Sequence, residues 1–313
     1  MIILEFLRFL ENARTPFFDD FFSLITKLGE ETIFIVIGLI LFWCVNKKQG
    51  YYVLFVGFAG VVINQFLKLT FRIPRPWIKD TNFSIVESAR AEATGYSFPS
   101  GHTQISVGAY GSIAKSITKK TIKIICIILC LIIPFSRMYL GVHTPIDVSV
   151  SIIIALLLIF VFYPIIYNSF ENIKKMRIFI GILTVFSTAY VFYTEFFSFP
   201  ANIDIINYQD GISNAYKILG CILGIWLAFE MDQKFINFNT KAVWWIQILK
   251  VLLGVIPVVL IKSFLKIPLI MLLGNANHAN GIRYFLIVLF ACGIWPLTFK
   301  YFNKLEKNKR RRY

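Results

Sequence analysis

Two of the three histidines in this 313-residue chain stand in short polar stretches bordered by long apolar runs. The richer stretch is Ser136-Arg137-Met138-Tyr139-Leu140-Gly141-Val142-His143-Thr144-Pro145-Ile146-Asp147. An Arg, a His and an Asp beside a membrane span are costly to bury and point to function. Thr144 suits a helix N-cap, Pro145 the first helical position, and Asp147 the place of a capping-box acid. His143 then lies just before the helix, one turn from Asp147. That spacing lets the carboxylate hold one imidazole nitrogen while the other faces a substrate. The second stretch is Pro99-Ser100-Gly101-His102. Ser100 reads as an N-cap, so the free N–H groups of Gly101 and His102 open a helix whose N-terminus favours an anion. Gly101 lets backbone approach a ligand closely. The third cluster is Lys68 with Arg75-Pro76.

Together these clusters hold three long cations, two imidazoles and one carboxylate, a set suited to an anionic substrate. Lys68, Arg75 and Arg137 can neutralise a phosphate, the arginine forks matching its oxygens. The sequence has no carboxylate pair and no His/Cys spacing for zinc, so neither a metal nor another cofactor is expected. The cations supply the charge that a metal would. His143, oriented by Asp147, is the candidate nucleophile at phosphorus, and His102 the candidate general acid for the leaving oxygen. The plainer reading takes Thr144 to Asp147 and Ser100 as helix caps only, with Lys68 and Arg75 as cations at a membrane boundary. It does not account for three such clusters converging on one face.

The elements that must position these residues are membrane helices. The chain is 57% hydrophobic, with a mean hydropathy of +0.69. Apolar stretches near bilayer length recur from end to end, as in a polytopic helical membrane protein. The net charge of +15 has no soluble domain to sit on, so a nucleic-acid partner is not expected. Cationic loops facing an anionic leaflet account for it. Cys44, Cys126, Cys130, Cys221 and Cys292 all lie in apolar segments and read as packing residues. Residues 1–30 hold two amphipathic pieces broken at Thr15-Pro16, suited to an interface.

Nine spans are expected, near residues 31–46, 51–71, 101–120, 121–139, 146–168, 177–194, 214–231, 243–265 and 282–302. Alternation puts Lys47-Lys48, Lys119-Lys120, Lys174-Lys175-Arg177, Lys234, Lys241 and the basic tail on one face. The opposite face collects the 72–100, 140–145, 195–213 and 266–281 loops, and the 195–213 loop has no Lys or Arg. The positive-inside rule makes the first face, with the C-terminus, cytoplasmic. All three clusters then face outside or a lumen. His278 reads as a solvated loop residue.

Lys68 followed by Arg75-Pro76, then Pro99-Ser100-Gly101-His102, then Ser136-Arg137 with His143 and Asp147, resembles the three-part signature of the type 2 phosphatidic acid phosphatase (PAP2) superfamily. The match is complete at the signature positions and covers roughly residues 30–170. The resemblance implies an all-α bundle with its site at the membrane surface. It implies Lys68, Arg75, Ser100, Gly101 and Arg137 as phosphate binders, His143 as the nucleophile that becomes a phosphohistidine, Asp147 as its partner and His102 as proton donor. The expected layout is interfacial helices over 1–30, a PAP2-like core over 31–170, further membrane helices of unknown role over 171–303, and a basic cytoplasmic tail over 304–313. The nine-span arrangement is similar to that of the glucose-6-phosphatase branch. The expected activity is metal-independent hydrolysis of a lipid phosphate or diphosphate, with a membrane lipid as substrate. A soluble sugar phosphate, phosphotransfer to an alcohol and non-enzymatic binding of phosphate lipids are the alternatives. The sequence does not specify an oligomeric state.

Overall fold

The computed structural model describes residues 2–302, so the basic tail expected over 304–313 lies outside the described residues. The described residues are helical with loops and contain no strand. The chain forms two compact units. The first takes the chain up to Ile35, Tyr52–Tyr167 and Phe199–Gly211, and the second takes Val36–Tyr51, Asn168–Ser198 and the chain from Ile212 onward.

The first unit begins with two amphipathic helices, α1 (Ile2–Asn12) and α2 (Pro16–Lys27). The break between them is chemical: Pro16 cannot continue α1, and the Thr15 hydroxyl accepts a hydrogen bond from the Phe18 N–H at the start of α2. Helix α3 (Glu31–Ile40) follows α2 across a bend, and the two together with the π-turn Leu41–Val45 are long and apolar enough for one broken span, bent by 48°. Helix α4 (Lys47–Phe71) runs to the short α5 (Pro76–Lys79), and a polar loop leads on to α6 (Gly101–Ser116). Three residues then turn the chain into α7 (Lys120–Tyr139), and a tight turn enters α8 (Pro145–Ser169).

The tight turn between α7 and α8 is clamped by packing. Leu140 and Val142 are fully buried with Phe22, Ala89 and Tyr139. Leu7, Phe83 and Ile85 form a neighbouring cluster. Burying such side chains contributes roughly 1.5–3 kcal/mol each. The N-terminal helices and the polar loop therefore hold the stretch that carries His143.

The second unit contains α9 (Ile173–Phe196), most of α10 (Ile205–Met231), α11 (Trp244–Phe264), α12 (Lys266–Leu273), α13 (Ala276–Leu289) and the short turn α14 (Trp295–Leu297). A Cβ on Gly220 would lie 2.1 Å from the Gly281 carbonyl oxygen, so α10 and α13 cross with their backbones touching. The unit carries π-turns at Leu41–Val45, Asp232–Ile236 and Phe290–Ile294. Lys47 pairs with Asp232 at 2.8 Å and lies over the Phe238 ring.

Among the described residues seven helices are long and apolar enough for single spans, and the bent α2–α3 pair makes an eighth. The ninth anticipated segment is α6, whose 16 residues rise only about 24 Å. Residues 266–281, read above as a loop, contain α12 and the start of α13. The run Lys266-Ile267-Pro268-Leu269-Ile270-Met271-Leu272-Leu273 is apolar enough for a helix and too short for a span. His278 is therefore exposed on a helix, with its ring edge-on to Tyr216.

Candidate active site

The site is built at one end of the first unit, where α4 stops, α6 starts, and α7 turns into α8. Helix α4 stops because Arg72 adopts a left-handed φ of 50° and prolines follow at 74 and 76. Pro76 opens α5, with Arg75 at its N-cap. Lys68, in the last turn of α4, donates to the Tyr96 carbonyl. The Arg75 guanidinium is fixed by three carbonyls: Nε donates to Gly95 at 3.1 Å, Nη2 to Thr94 at 2.6 Å and Nη1 to Val142 at 2.9 Å. The polar loop is thus wrapped around two cations, through backbone oxygens.

Ser100 caps α6 as anticipated, its hydroxyl accepting from the Thr103 N–H at 3.4 Å. The N–H groups of Gly101 and His102 stand in the first turn, where no intrahelical acceptor is available. A Cβ on Gly101 would meet only Asn64 Oδ1, at 3.9 Å. No protein contact demands a glycine there, so the space in front of it is open to a ligand. The Ser151 hydroxyl donates to the carbonyls of both Ser100 and Asp147 at 2.9 Å, tying the start of α6 to the first turns of α8.

Arg137 lies in the last turn of α7 with no exposed surface. Its Nη1 donates to the Thr26 hydroxyl at 2.7 Å, while Nε and Nη2 have no partner. A buried guanidinium with two open donors is ready for an anion, since unpaired buried donors are costly. The chain then turns at Gly141, with φ +82°, and the N–H of His143 donates to the Arg137 carbonyl at 3.3 Å. Thr144 and Asp147 form a reciprocal cap. The Thr144 N–H donates to Asp147 Oδ2 at 2.7 Å, and the Asp147 N–H donates to the Thr144 hydroxyl at 3.3 Å.

His143 is 1% exposed. Its Nε2 lies 2.9 Å from Arg75 Nη1, and its Nδ1 lies 3.6 Å from Asp147 Oδ2. Arginine can only donate, so Nε2 must be the acceptor and the ring proton sits on Nδ1, facing the carboxylate. Burial first, and then the Arg75 charge, push the His143 imidazolium well below the ordinary histidine range against the pull of Asp147. The ring is neutral, with a lone pair on Nε2. Asp147 also accepts from the Ser97 hydroxyl at 2.6 Å.

His102 opens α6 with Nε2 3.5 Å from Glu92 Oε2. The facing His102 imidazole holds the Glu92 carboxyl below the usual range. All eight residues singled out from the sequence (Lys68, Arg75, Ser100, Gly101, His102, Arg137, His143 and Asp147) therefore lie at this one end. Ser97, Thr26, Glu92 and the carbonyls of Thr94, Gly95 and Tyr96 join them without having been singled out as site residues. A cavity of about 500 Å³ opens beside Arg75 and is lined by Arg72, Gly95, Tyr96, Asp204 and Asn207 among others. Among the described residues no three His, Cys, Asp or Glu side chains come together as a metal site.

Residues 49–171 match the model of the PAP2 superfamily, and residues 216–308 match that of a PAP2 superfamily phosphatase transmembrane extension. The undecaprenyl-diphosphatase BcrC of Bacillus subtilis is 35% identical over 38% of this chain and 58% of its own length. A dihydrosphingosine 1-phosphate phosphatase of Schizosaccharomyces pombe is 28% identical over 83% of this chain and 65% of its own. The chain thus spans less than two thirds of either relative. The crystal structure of Aquifex aeolicus LpxE aligns with 51% of this chain and 94% of its own at 25% identity, with a TM-score of 0.44.

Proposed function

The chain belongs to the PAP2 superfamily, and on that footing we propose that it is a metal-independent membrane phosphatase. It hydrolyses a lipid phosphate or diphosphate through a phosphohistidine. The observation that carries this reading is the state of His143: neutral, buried, with its lone-pair nitrogen beside Arg75 and its N–H towards Asp147. A site that only bound phosphate would need the cations and not this pairing. In the resting state Arg75 donates to Nε2. When a phosphate enters, the guanidinium moves its hydrogen bond to a phosphate oxygen and frees the lone pair. Lys68, Arg75, Arg137 and the first N–H groups of α6 hold the phosphate oxygens. The Nε2–P bond forms, the P–O bond to the leaving group breaks, and His102 protonates the departing oxygen. Water then attacks phosphorus, His102 takes its proton, and Nε2 is released. Asp147 stabilises the imidazolium that carries the phosphoryl group.

The lipid reading draws on the names of the relatives, an undecaprenyl-diphosphatase and a dihydrosphingosine 1-phosphate phosphatase, and on depth. His143 sits between the apolar spans α7 and α8, and His102 opens α6 at the same end, so a lipid reaches them with its tail still in the bilayer. The positive-inside pattern puts this end of the molecule on the extracytoplasmic side and the C-terminus in the cytoplasm. We read residues 31–170 as the catalytic core and 171–303 as further membrane helices. The test compares kcat/KM for a lipid phosphate and for glucose 6-phosphate on one preparation, with and without chelator. A lipid preference that survives chelation is expected. A tenfold preference for the sugar, about 1.4 kcal/mol of transition-state energy, replaces the lipid reading with a sugar phosphatase. Strict dependence on added magnesium overturns the metal-independent mechanism.

A further inference from the structure

The site contains a second histidine–carboxylate pair. His143 is backed by Asp147 and then Ser97. His102 is backed by Glu92, 3.5 Å from its Nε2, and the Glu30 carboxyl faces Glu92 from behind. Glu30 sits at the bend between α2 and α3. That bend is seated on His102: a Cβ on its neighbour Gly29 would lie 3.4 Å from the His102 carbonyl oxygen and 2.8 Å from Ile133 Cγ2. We propose that Glu92, with Glu30 behind it, is the positioning residue that raises the proton affinity of His102 against burial and the two guanidiniums and turns the ring towards the leaving oxygen.

The inference rests on reading the site as a phosphatase. Its physical ground is the charge around His102. Burial first, and then Arg137 from α7 and Arg75 from the α4–α5 turn, oppose an imidazolium there. Glu92 is the acid that faces it from the polar loop. A general acid must enter the first step protonated, so that carboxylate offsets two guanidiniums. In the second step His102 takes a proton from water and is a cation again, and the same charge is needed. Glu92 itself faces His102, Glu30 and Arg137, while Glu30 faces Glu92, Lys27 and Arg137. Of the two facing carboxyls, Glu30 is the one pushed towards its protonated form and Glu92 the one held ionised, so the negative charge stays on Glu92. Holding His102 through Nε2 leaves its Nδ1 edge for the leaving oxygen.

The test uses the full-length protein and two esters of matched chain length, an alkyl phosphate and an aryl phosphate. An aryl oxide leaves with little help from an acid, whereas an alkoxide needs it. Glu92→Gln is expected to lower kcat for the alkyl ester about 30-fold and for the aryl ester less than about threefold, within the range of general acid catalysis. The alkaline limb of its pH profile moves to lower pH, because His102 loses its proton sooner. Combined with His102→Ala, Glu92→Gln adds no further loss. Glu30→Gln moves the same limb in the same direction by less, and it decides the matter if Glu92→Gln does not fold. Equal losses on both esters, an unmoved alkaline limb, or a full additive loss on top of His102→Ala overturns the proposal. A wild-type protein that releases phosphate from neither ester overturns the phosphatase reading, and this inference with it.

Discussion

Around His143 every polar atom within reach has a direction. Arg75 donates to Nε2 at 2.9 Å, Asp147 stands 3.6 Å from Nδ1, and Ser97 donates to Asp147 at 2.6 Å. His143→Ala is expected to abolish turnover. Asp147→Asn should fold and turn over far more slowly, because the charge that stabilises the imidazolium is gone. Ser97→Ala tests the outer contact. It removes one buried hydrogen bond to a carboxylate, so kcat should fall about tenfold and the thermal midpoint by a few degrees. An unchanged kcat would show that Thr144 alone holds the carboxylate. The His143–Asp147 pair and the cations were legible because their spacings are local or lie in short motifs. Ser97 and Thr26 were not, since their partners Asp147 and Arg137 are 50 and 111 residues away. The carbonyls that pin Lys68 and Arg75 leave no trace in side-chain chemistry at all.

Helix ends do the positioning. The caps were readable from residue types, and Ser100, Thr144 with Asp147, and Thr15 all cap as their chemistry dictates. The α7–α8 turn depends on Gly141, whose φ is +82°. A Cβ there would stand 2.6 Å from Arg14 Nη2 and 3.0 Å from the Phe83 ring. Gly141→Ala is expected to cost about 2 kcal/mol, seen as a lower thermal midpoint in detergent together with a lower kcat as His143 shifts. A midpoint and rate equal to wild type would mean the turn is not the element that sets His143. Helix α2, which reads from sequence as interfacial, supplies Thr26 to Arg137. Thr26→Val leaves that buried guanidinium with no protein partner, and KM for a lipid phosphate should change by roughly five- to tenfold, about 1–1.4 kcal/mol, while kcat holds. A change in kcat alone would contradict a binding role for Arg137. The short helix α12 escaped notice because eight residues, all but Lys266 apolar, between two longer helices carry no periodicity signal.

Across the whole molecule, the apolar segments predict helices well and span lengths less well. Segment 101–120 folds as a 16-residue helix, and the segment at 31 becomes long enough only together with α2. Both departures occur next to the site. The segment Phe199–Gly211 follows α9, yet it belongs to the unit that holds the site and lines the cavity beside Arg75 with Asp204 and Asn207. Its lack of Lys and Arg fits the extracytoplasmic side proposed for the site. Single cysteines at Asn82 and Asn202 should react with an impermeant reagent on intact cells, and one at Asn308 only after the cells are opened. Labelling of Asn308 together with Asn82 would mean an even number of crossings between them and a different fold of the chain through the membrane.

Rapid acid-free quenching of the enzyme during turnover of a ³²P-labelled lipid phosphate tests for the covalent bond between His143 and phosphorus. Label is expected on His143 in the wild type, stable to base and lost in acid as a phosphohistidine is. It should build up in His102→Ala given an aryl ester and be absent in His143→Ala. Steady turnover with no label on the protein, or label retained in His143→Ala, would contradict it.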